Sequence, residues 1–493
     1  MSARTLKTNF VINVLGALVP LAVALVTVPI YVRHIGDARY GVLSIVWVLL
    51  GYFGFLDLGL SRAAVNALSR LRYAPQPARA RVLVTTLVLN LGLGLLGSFC
   101  LAVLGGYLLQ HVLAVPEMLK PEIAQAFPWI VALFPLALVS GVGIGALESR
   151  EHFLLANLLQ VSGMSLGQIV PVILAVIISP SLAIVIPAAT ITRAMTMLVI
   201  LIAVHRNERP LSLAAFDRNQ AGALLSYGGW VSVSSAIVPF LVSFDQVIIG
   251  SVLGVASITY FAIPMNLVTR SQFFPGALIR TLFPRLSSSA PVDARALSSR
   301  ALVALAHSYG AICAPAIIVT PTFFKYWISP EFAVIASPVA EVLFFGAWAN
   351  ALASVPYGLL QSQGRPDITG KYHAAQVFPF VAILWAMTSV FGIIGAAAAY
   401  SLRGAADVLV MCWLSGVSRR DVLQSLIPLV YLLLCAEIAN GSSLSPLMVL
   451  FISALIFATA FAVAVPMSLE IRTTALLGFR LLTRVFRRDV AVD

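Results

Sequence analysis

The sequence predicts an all-α polytopic membrane protein of about fourteen transmembrane helices, two parallel six-helix repeats followed by two further helices. Three observations predict it. Of 493 residues, 60% are apolar and only 10% are Asp, Glu, Lys or Arg, against about 25% charge in an average soluble chain. Mean hydropathy is +0.98. Apolar runs long enough to cross about 30 Å of hydrocarbon as helices recur along the chain, and the basic residues gather in alternate loops between them. So little charge cannot cover the surface of a soluble multidomain enzyme, and it excludes a disordered tail and a fibrous repeat.

The candidate spans cover roughly 9–31, 41–63, 82–109, 126–147, 153–178, 182–204, 222–244, 255–278, 301–325, 337–360, 373–391, 394–414, 422–440 and 446–469. With the N-terminus inside, beside Arg4 and Lys7, the outside loops hold only Arg33, Arg39, Lys120 and Lys325. Arg193, Arg270 and Arg403 fall within spans, and every other one of the 31 basic residues lies inside. That asymmetry places both termini in the cytoplasm. The net charge of +12 thus reflects inside arginines, not a nucleic-acid partner. The first span continues past its Ala22-Val23-Ala24 triplet to Tyr31 and reads as an uncleaved helix, not a signal peptide. The organisation is then a six-helix bundle over 1–213, a second over 214–418, two additional spans over 419–471 and a basic tail over 472–493. In that tail FRLLTRVFRR, from Phe479, suits a juxtamembrane anchor on anionic lipid.

The two bundles resemble each other. IYVRHIGDARYGVLSIVWVLL from Ile30 matches VIIGSVLGVASITYFAIPMNL from Val247, with Gly36 on Gly254 and Tyr40 on Tyr260. Arg62 then matches Arg280, and Arg193 in the sixth span matches Arg403 in the twelfth. Because six spans make an even number, both halves enter from the same side, as in transporters whose parallel halves rock around a midplane site.

Charge inside hydrocarbon costs at least about 2.5–3.5 kcal/mol at mid-helix and needs a partner or a watery cavity. Arg193 and Arg403 lie near mid-span, and their equivalence would set them facing each other. Asp407 sits one turn after Arg403. It is either a structural neutraliser of that arginine or a carboxylate able to release it into a cationic cavity. Arg270 either snorkels to the inner headgroups or lines the cavity. Arg33 and Arg39 flank Gly36 in the first outside loop, where solvation competes with a role at the outer mouth. Asp57, about one turn before Arg62, caps that arginine or lines the inner cavity. Asp245 is read as structural, and Glu341 and Glu437 as solvated near outer helix ends. Any of these acids can carry a coupling proton, because burial raises a carboxyl pKa; His307 is a weaker candidate.

Little enzyme chemistry is present. Cys100, Cys313, Cys412 and Cys435 lie in apolar runs and read as packing residues, so neither a disulfide framework nor a zinc site is expected. The GxGxxG pattern from Gly92 lies in an apolar helix with no strand before it, and with the GxxxG of Gly141 and Gly145 reads as close helix packing. The loop GRPDITGK, from Gly364, has one residue too many for a P-loop, and Tyr372 stands where Ser or Thr must hold magnesium. No metal and no cofactor is expected.

Several stretches identify a family. TVPIYVRHIGDARYGVLSI, from Thr27, followed by GYFGFLDLGLSRA, from Gly51, resembles the opening of the Wzx-type polysaccharide flippases. These belong to the multidrug/oligosaccharidyl-lipid/polysaccharide superfamily. FDQVIIGSVLGVASITYFA, from Phe244, is similar to the start of that family's second half. LLQSQGRPDITGKYHAAQ, from Leu359, with FGIIGAAAAYSLR, from Phe391, is similar to its tenth-to-twelfth-span region. The resemblance implies a V-shaped, MATE-like pair of bundles around a cationic cavity. It implies export of undecaprenyl-diphosphate-linked oligosaccharide through the bacterial inner membrane for surface polysaccharide biosynthesis, beside a polysaccharide polymerase and other assembly proteins. It admits coupling to H+ or Na+. Arg193 and Arg403 would then hold the diphosphate, Arg270 would help at the inner mouth and Arg33 at the outer exit, and Asp407 and Asp57 would be counter-charges or proton carriers.

Three rivals remain from the sequence. A drug or cation antiporter of the superfamily would want an acidic, aromatic cavity, whereas the central spans here carry arginine. A flippase for lipid II, the peptidoglycan precursor, would share the cationic cavity. A non-transporting scaffold of a glycan-assembly complex would tolerate loss of the arginines.

Overall fold

The computed structural model describes residues 3–56, 60–71, 74–107, 112–208, 215–222, 224, 244–441 and 445–467. The described residues are overwhelmingly helical and contain no strand. The N-terminal helices are α1 (Ala3–Ile35), α2 (Asp37–Leu56), α3 (Leu60–Arg70), α4 (Gln76–Tyr107), α5 (Lys120–Ser149), α6 (Phe153–Ile177) and α7 (Leu182–Asn207). After a helical segment over 244–252 come α8 (Val255–Ser271), α9 (Phe273–Ser288), α10 (Pro291–Trp327), α11 (Pro330–Ser362) and α12 (Pro366–Ser415). The chain continues with α13 (Arg419–Ser425), α14 (Ile427–Gly441) and α15 (Pro446–Met467). Eight helices among the described residues are long and apolar enough to cross a membrane, with shorter apolar helices over Val19–Ile35 and Pro446–Ala460. The protein is a multi-pass membrane protein.

The helix boundaries follow local chemistry. Prolines open α10, α11 and α12 in their first turn, where no amide hydrogen is missed. Ser181 and Ser329 cap α7 and α11 by accepting from the amides of Ala183 (3.2 Å) and Phe332 (3.1 Å). The turns before α2 and α8 each use a glycine in the left-handed region, Gly36 at φ 80° and Gly254 at φ 87°. These two were matched by the sequence repeat, so the same device reverses the chain at equivalent places.

The 50-residue α12 is two antiparallel limbs. A straight helix of this length would run about 75 Å. Yet Gly392 breaks it at φ 63°, ψ −145°, and a Cβ on Gly395 would lie 1.9 Å from the carbonyl oxygen of Met387. Eight residues of continuous helix would separate those groups by about 12 Å, so the chain turns back at Gly392. The separation of 373–391 from 394–414 in the sequence follows this turn.

By contacts the chain divides into two compact units, Met1–Thr259 and Tyr260–Asp493. In the first, α5 packs on α4 and α7, and α6 on α1 and α7. Leu68, Leu83, Val142, Leu147, Ile200 and Val204 form its main apolar cluster. Close approach uses the glycines singled out in the sequence: a Cβ on Gly94 would meet the Cα of Pro135 at 2.6 Å, and one on Gly145 would meet Val65 at 2.6 Å. In the second unit α10 and α11 are the buried centre. Helix α12 lies on α11, and α14 and α15 lie on α10. Gly310 of α10 leaves room for the Tyr431 hydroxyl, which a Cβ there would meet at 2.5 Å.

Candidate functional site

In the first unit, α3, α5, α6 and α7 enclose a cavity of about 510 Å³. Its wall includes Gly141 and Gly145 of α5 and Gly163 of α6, beside apolar side chains such as Leu159, Met164 and Ile200; a Cβ on Gly163 would run into the Thr196 side chain, so this glycine lets α6 and α7 approach closely. Arg193 of α7 lines it, together with Ser61, Ser140, Gln160, Thr196 and Glu148. The Arg193 Nε is buried and has no hydrogen-bond partner. No carboxylate oxygen lies within ion-pair distance of Arg193 among the described residues. An unpaired guanidinium beside a cavity presents a planar array of donors for an anion.

Arg403, its repeat partner, lies on the second limb of α12 in the other unit. Its guanidinium stacks 4.8 Å from the Phe380 ring centroid and 5.6 Å from that of Tyr400. Its Nε is also buried without a hydrogen-bond partner. Asp407, read either as a structural neutraliser of Arg403 or as a carboxylate able to release it, forms no ion pair with Arg403 among the described residues. Instead the Asp407 Oδ1 accepts from the Tyr372 hydroxyl at 2.8 Å and from Gln376 Nε2 at 2.6 Å. Both donors belong to the first limb, so the turn at Gly392 supplies them and leaves the arginine to the rings.

The remaining candidates are more dispersed. Arg270 is exposed in the last turn of α8, and Arg33 is exposed in the last turn of α1. Asp57 lies outside the described residues, as does the basic tail. Glu437 is exposed, as expected, whereas Glu341 is 3% exposed and accepts from Asn440 Nδ2 at 2.8 Å; the solvated reading of Glu341 is corrected. His307 is buried, with Nδ1 3.0 Å from the carbonyl oxygen of Val303. Arg39 is not a solvated loop charge either. It forms a two-bonded pair with Glu122, Nε to Oε2 at 2.9 Å and a terminal nitrogen to Oε1 at 2.6 Å. Glu122 Oε2 also accepts from the amide of Leu182 at 2.9 Å, tying α2, α5 and the start of α7.

One cluster was missed in the sequence. Arg79 of α4, 0% exposed, donates Nε to Glu208 Oε2 at 3.0 Å, a terminal nitrogen to Glu208 Oε1 at 2.5 Å and another to the Leu68 carbonyl at 2.5 Å. Arg150 donates to the same carboxylate at 2.7 and 2.9 Å. Burial raises the Glu208 pKa, but the hydrogen bonds and charges of Arg150 and Arg79 outweigh it and hold the carboxyl below its ordinary value. The cluster joins the start of α4 to the C-terminal ends of α5 and α7. A signal existed in the lone acid of the segment HRNER, from His205; its partners are too far away in sequence to be read from it.

Comparison with known proteins follows this geometry. The sequence profile of the polysaccharide biosynthesis protein family matches residues 6–290. The chain belongs to that family. It is 27% identical over 410 residues to a putative O-antigen transporter of Shigella flexneri, covering 82% of this chain and 96% of that one. Its fold resembles an inward-facing multidrug resistance MATE family transporter of the MOP superfamily (TM-score 0.63, 14% identity, 83% of this chain and 99% of that one). It equally resembles the lipid II flippase MurJ in an inward closed conformation (TM-score 0.63, 14% identity, 92% and 99%). A Vibrio cholerae MATE transporter matches at TM-score 0.56 and 16% identity, over 86% and 98%. These likenesses show that the chain has a MATE-like fold.

Proposed function

We propose that this polysaccharide biosynthesis family member is a flippase. It carries undecaprenyl-diphosphate-linked oligosaccharide repeat units across the bacterial cytoplasmic membrane by alternating access, with both termini cytoplasmic. The observation that carries the reading is the pair of repeat-related arginines inside membrane spans, each with a buried Nε that has no partner, one of them on a cavity wall. Leaving such a group unpaired costs free energy, and an arriving diphosphate returns it, because guanidinium binds phosphate oxygens in bidentate fashion. A cationic drug gains nothing from such a site.

In this scheme Arg193 and Arg403 hold the diphosphate, Arg270 receives it at the inner mouth and Arg33 releases it at the outer one. Asp57 and Asp407 are the counter-charges or proton carriers of the cycle. Glycan polymerase and other assembly proteins take up the exported unit.

The test is export in a strain lacking the gene, complemented with variants. Arg193→Ala and Arg403→Ala are expected to abolish surface polymer at normal protein level in the membrane. The Lys variants restore only part, because an ammonium is a point charge without the fork. Normal polymer from both Ala variants would refute the assignment and favour a scaffold.

A further inference from the structure

Glu341 is a buried acid that the diphosphate reading leaves unused. It lies on α11 in an apolar, largely buried stretch and is 3% exposed. Its Oε2 accepts one hydrogen bond, from the neutral amide of Asn440 on α14. Its Oε1 is buried and has no hydrogen-bond partner. The elements packed against α11 carry Arg280 and Arg285 on α9; Asp293, Arg295, Arg300, His307, Tyr309, Cys313, Lys325 and Tyr326 on α10; Asp367, Lys371, Tyr372, His373, Tyr400, Arg403, Asp407 and Cys412 on α12; and Tyr431, Cys435 and Glu437 on α14. No nitrogen of these comes within 4.0 Å of the carboxylate, and none of their side chains hydrogen-bonds to it, among the described residues.

An ionised carboxylate has about four acceptor positions, and one amide N–H does not replace the water it has lost. A protonated carboxyl fits this site, with Oε2 accepting from Asn440 and Oε1 carrying the hydrogen. The acid also has no counterpart in the repeat. Pro128 and Pro338 hold the same place in α5 and α11, which sets Val131 opposite Glu341. Its one partner, Asn440, belongs to a helix beyond the repeat. A titratable group therefore stands where the second bundle meets the additional helices.

We propose that Glu341 is a proton-binding site of the transport cycle. Oε1 carries the proton in the state described here. The proton passes to water, leaving a carboxylate, when the contact between α11 and α14 opens. The inference rests on the transporter reading and adds the ion that drives it.

The test uses the full-length protein in liposomes and in complemented cells. Dicyclohexylcarbodiimide, which attacks protonated carboxyls in apolar surroundings, is expected to modify Glu341 in wild-type protein, with labelling that declines as pH rises. Peptide mass spectrometry locates the adduct. Glu341→Gln keeps an oxygen for Asn440 but cannot titrate; it is expected at normal level in the membrane, with export lost. A Glu341→Gln protein that exports as well as wild type, with the same pH profile, would overturn the proposal. So would wild-type Glu341 that stays unlabelled at every pH. Either result leaves the flippase reading standing, since that reading is tested by the deletion strain and the arginine variants.

Discussion

The two units hold their equivalent arginines in different ways. Arg193 lines a cavity among glycines, small polar side chains and apolar residues such as Leu159 and Ile200, with no cation–π contact among the described residues. Arg403 lies against Phe380 and Tyr400, with its neighbouring acid already engaged by Tyr372 and Gln376. The helix ends differ in the opposite sense. In the first unit two arginines close on the buried Glu208. In the second, Arg295, Arg300 and Asp421 line a recess with no ion pair among them. A repeat thus conserves where the chain turns and where the arginine sits, while the partners of each charge are set by its own unit. The first unit is locked at the Glu208 cluster and open beside Arg193; the second is packed around Arg403 and open at the recess of Arg295, Arg300 and Asp421.

The largest expected effect of breaking that contrast is at Glu208. Removing it strands a fully buried arginine, so Glu208→Ala should cost about 3–5 kcal/mol, read as a fall in thermal stability and membrane level. Asp421→Ala, in the open recess, should change stability by no more than about 0.5 kcal/mol. The Glu208 carboxyl is held below its ordinary value of 4.5. Its contribution is therefore complete above that value and is lost as pH falls through the lowered one, a loss that Glu208→Gln should abolish. Equal losses from Glu208→Ala and Asp421→Ala would erase the contrast.

Next come the arginines themselves, compared by stability instead of transport. Arg403→Ala removes a stacked, partly desolvated cation and should cost about 2 kcal/mol in a thermal-shift assay. Arg193→Ala removes an unpaired one and should leave stability within about 0.5 kcal/mol, though both lose export. A smaller effect is expected at the shared turns. Gly36→Ala and Gly254→Ala each force a side chain into the left-handed region, at about 1–2 kcal/mol. The two losses should match, because the turn is the element the repeat keeps.

Much of this was legible in the sequence. Apolar runs gave the helices, and the match of Gly36 to Gly254 gave a turn device that the backbone repeats. The equivalence of Arg193 and Arg403 came from the same alignment, and in both the Nε is buried and unpaired. The partners were not legible. Asp407 follows Arg403 at helical spacing, which suggests a pair, but the reversal at Gly392 brings Tyr372 and Gln376 closer to the acid. Glu341 near a helix end suggests solvent, until α14 covers it with Asn440. Arg39 and Arg79 read as loop charges because Glu122 and Glu208 lie far along the chain. Periodicity records which face of a helix is apolar, whereas these contacts depend on which helices meet.

The lipid-linked glycan pool of a strain lacking the gene, measured by mass spectrometry with surface polysaccharide scored in parallel, reports on the flippase itself. Accumulated undecaprenyl-diphosphate repeat units and missing surface polymer, both reversed by the wild-type gene and by neither Arg193→Ala nor Arg403→Ala, is the predicted result. An unchanged pool with normal polymer would contradict it.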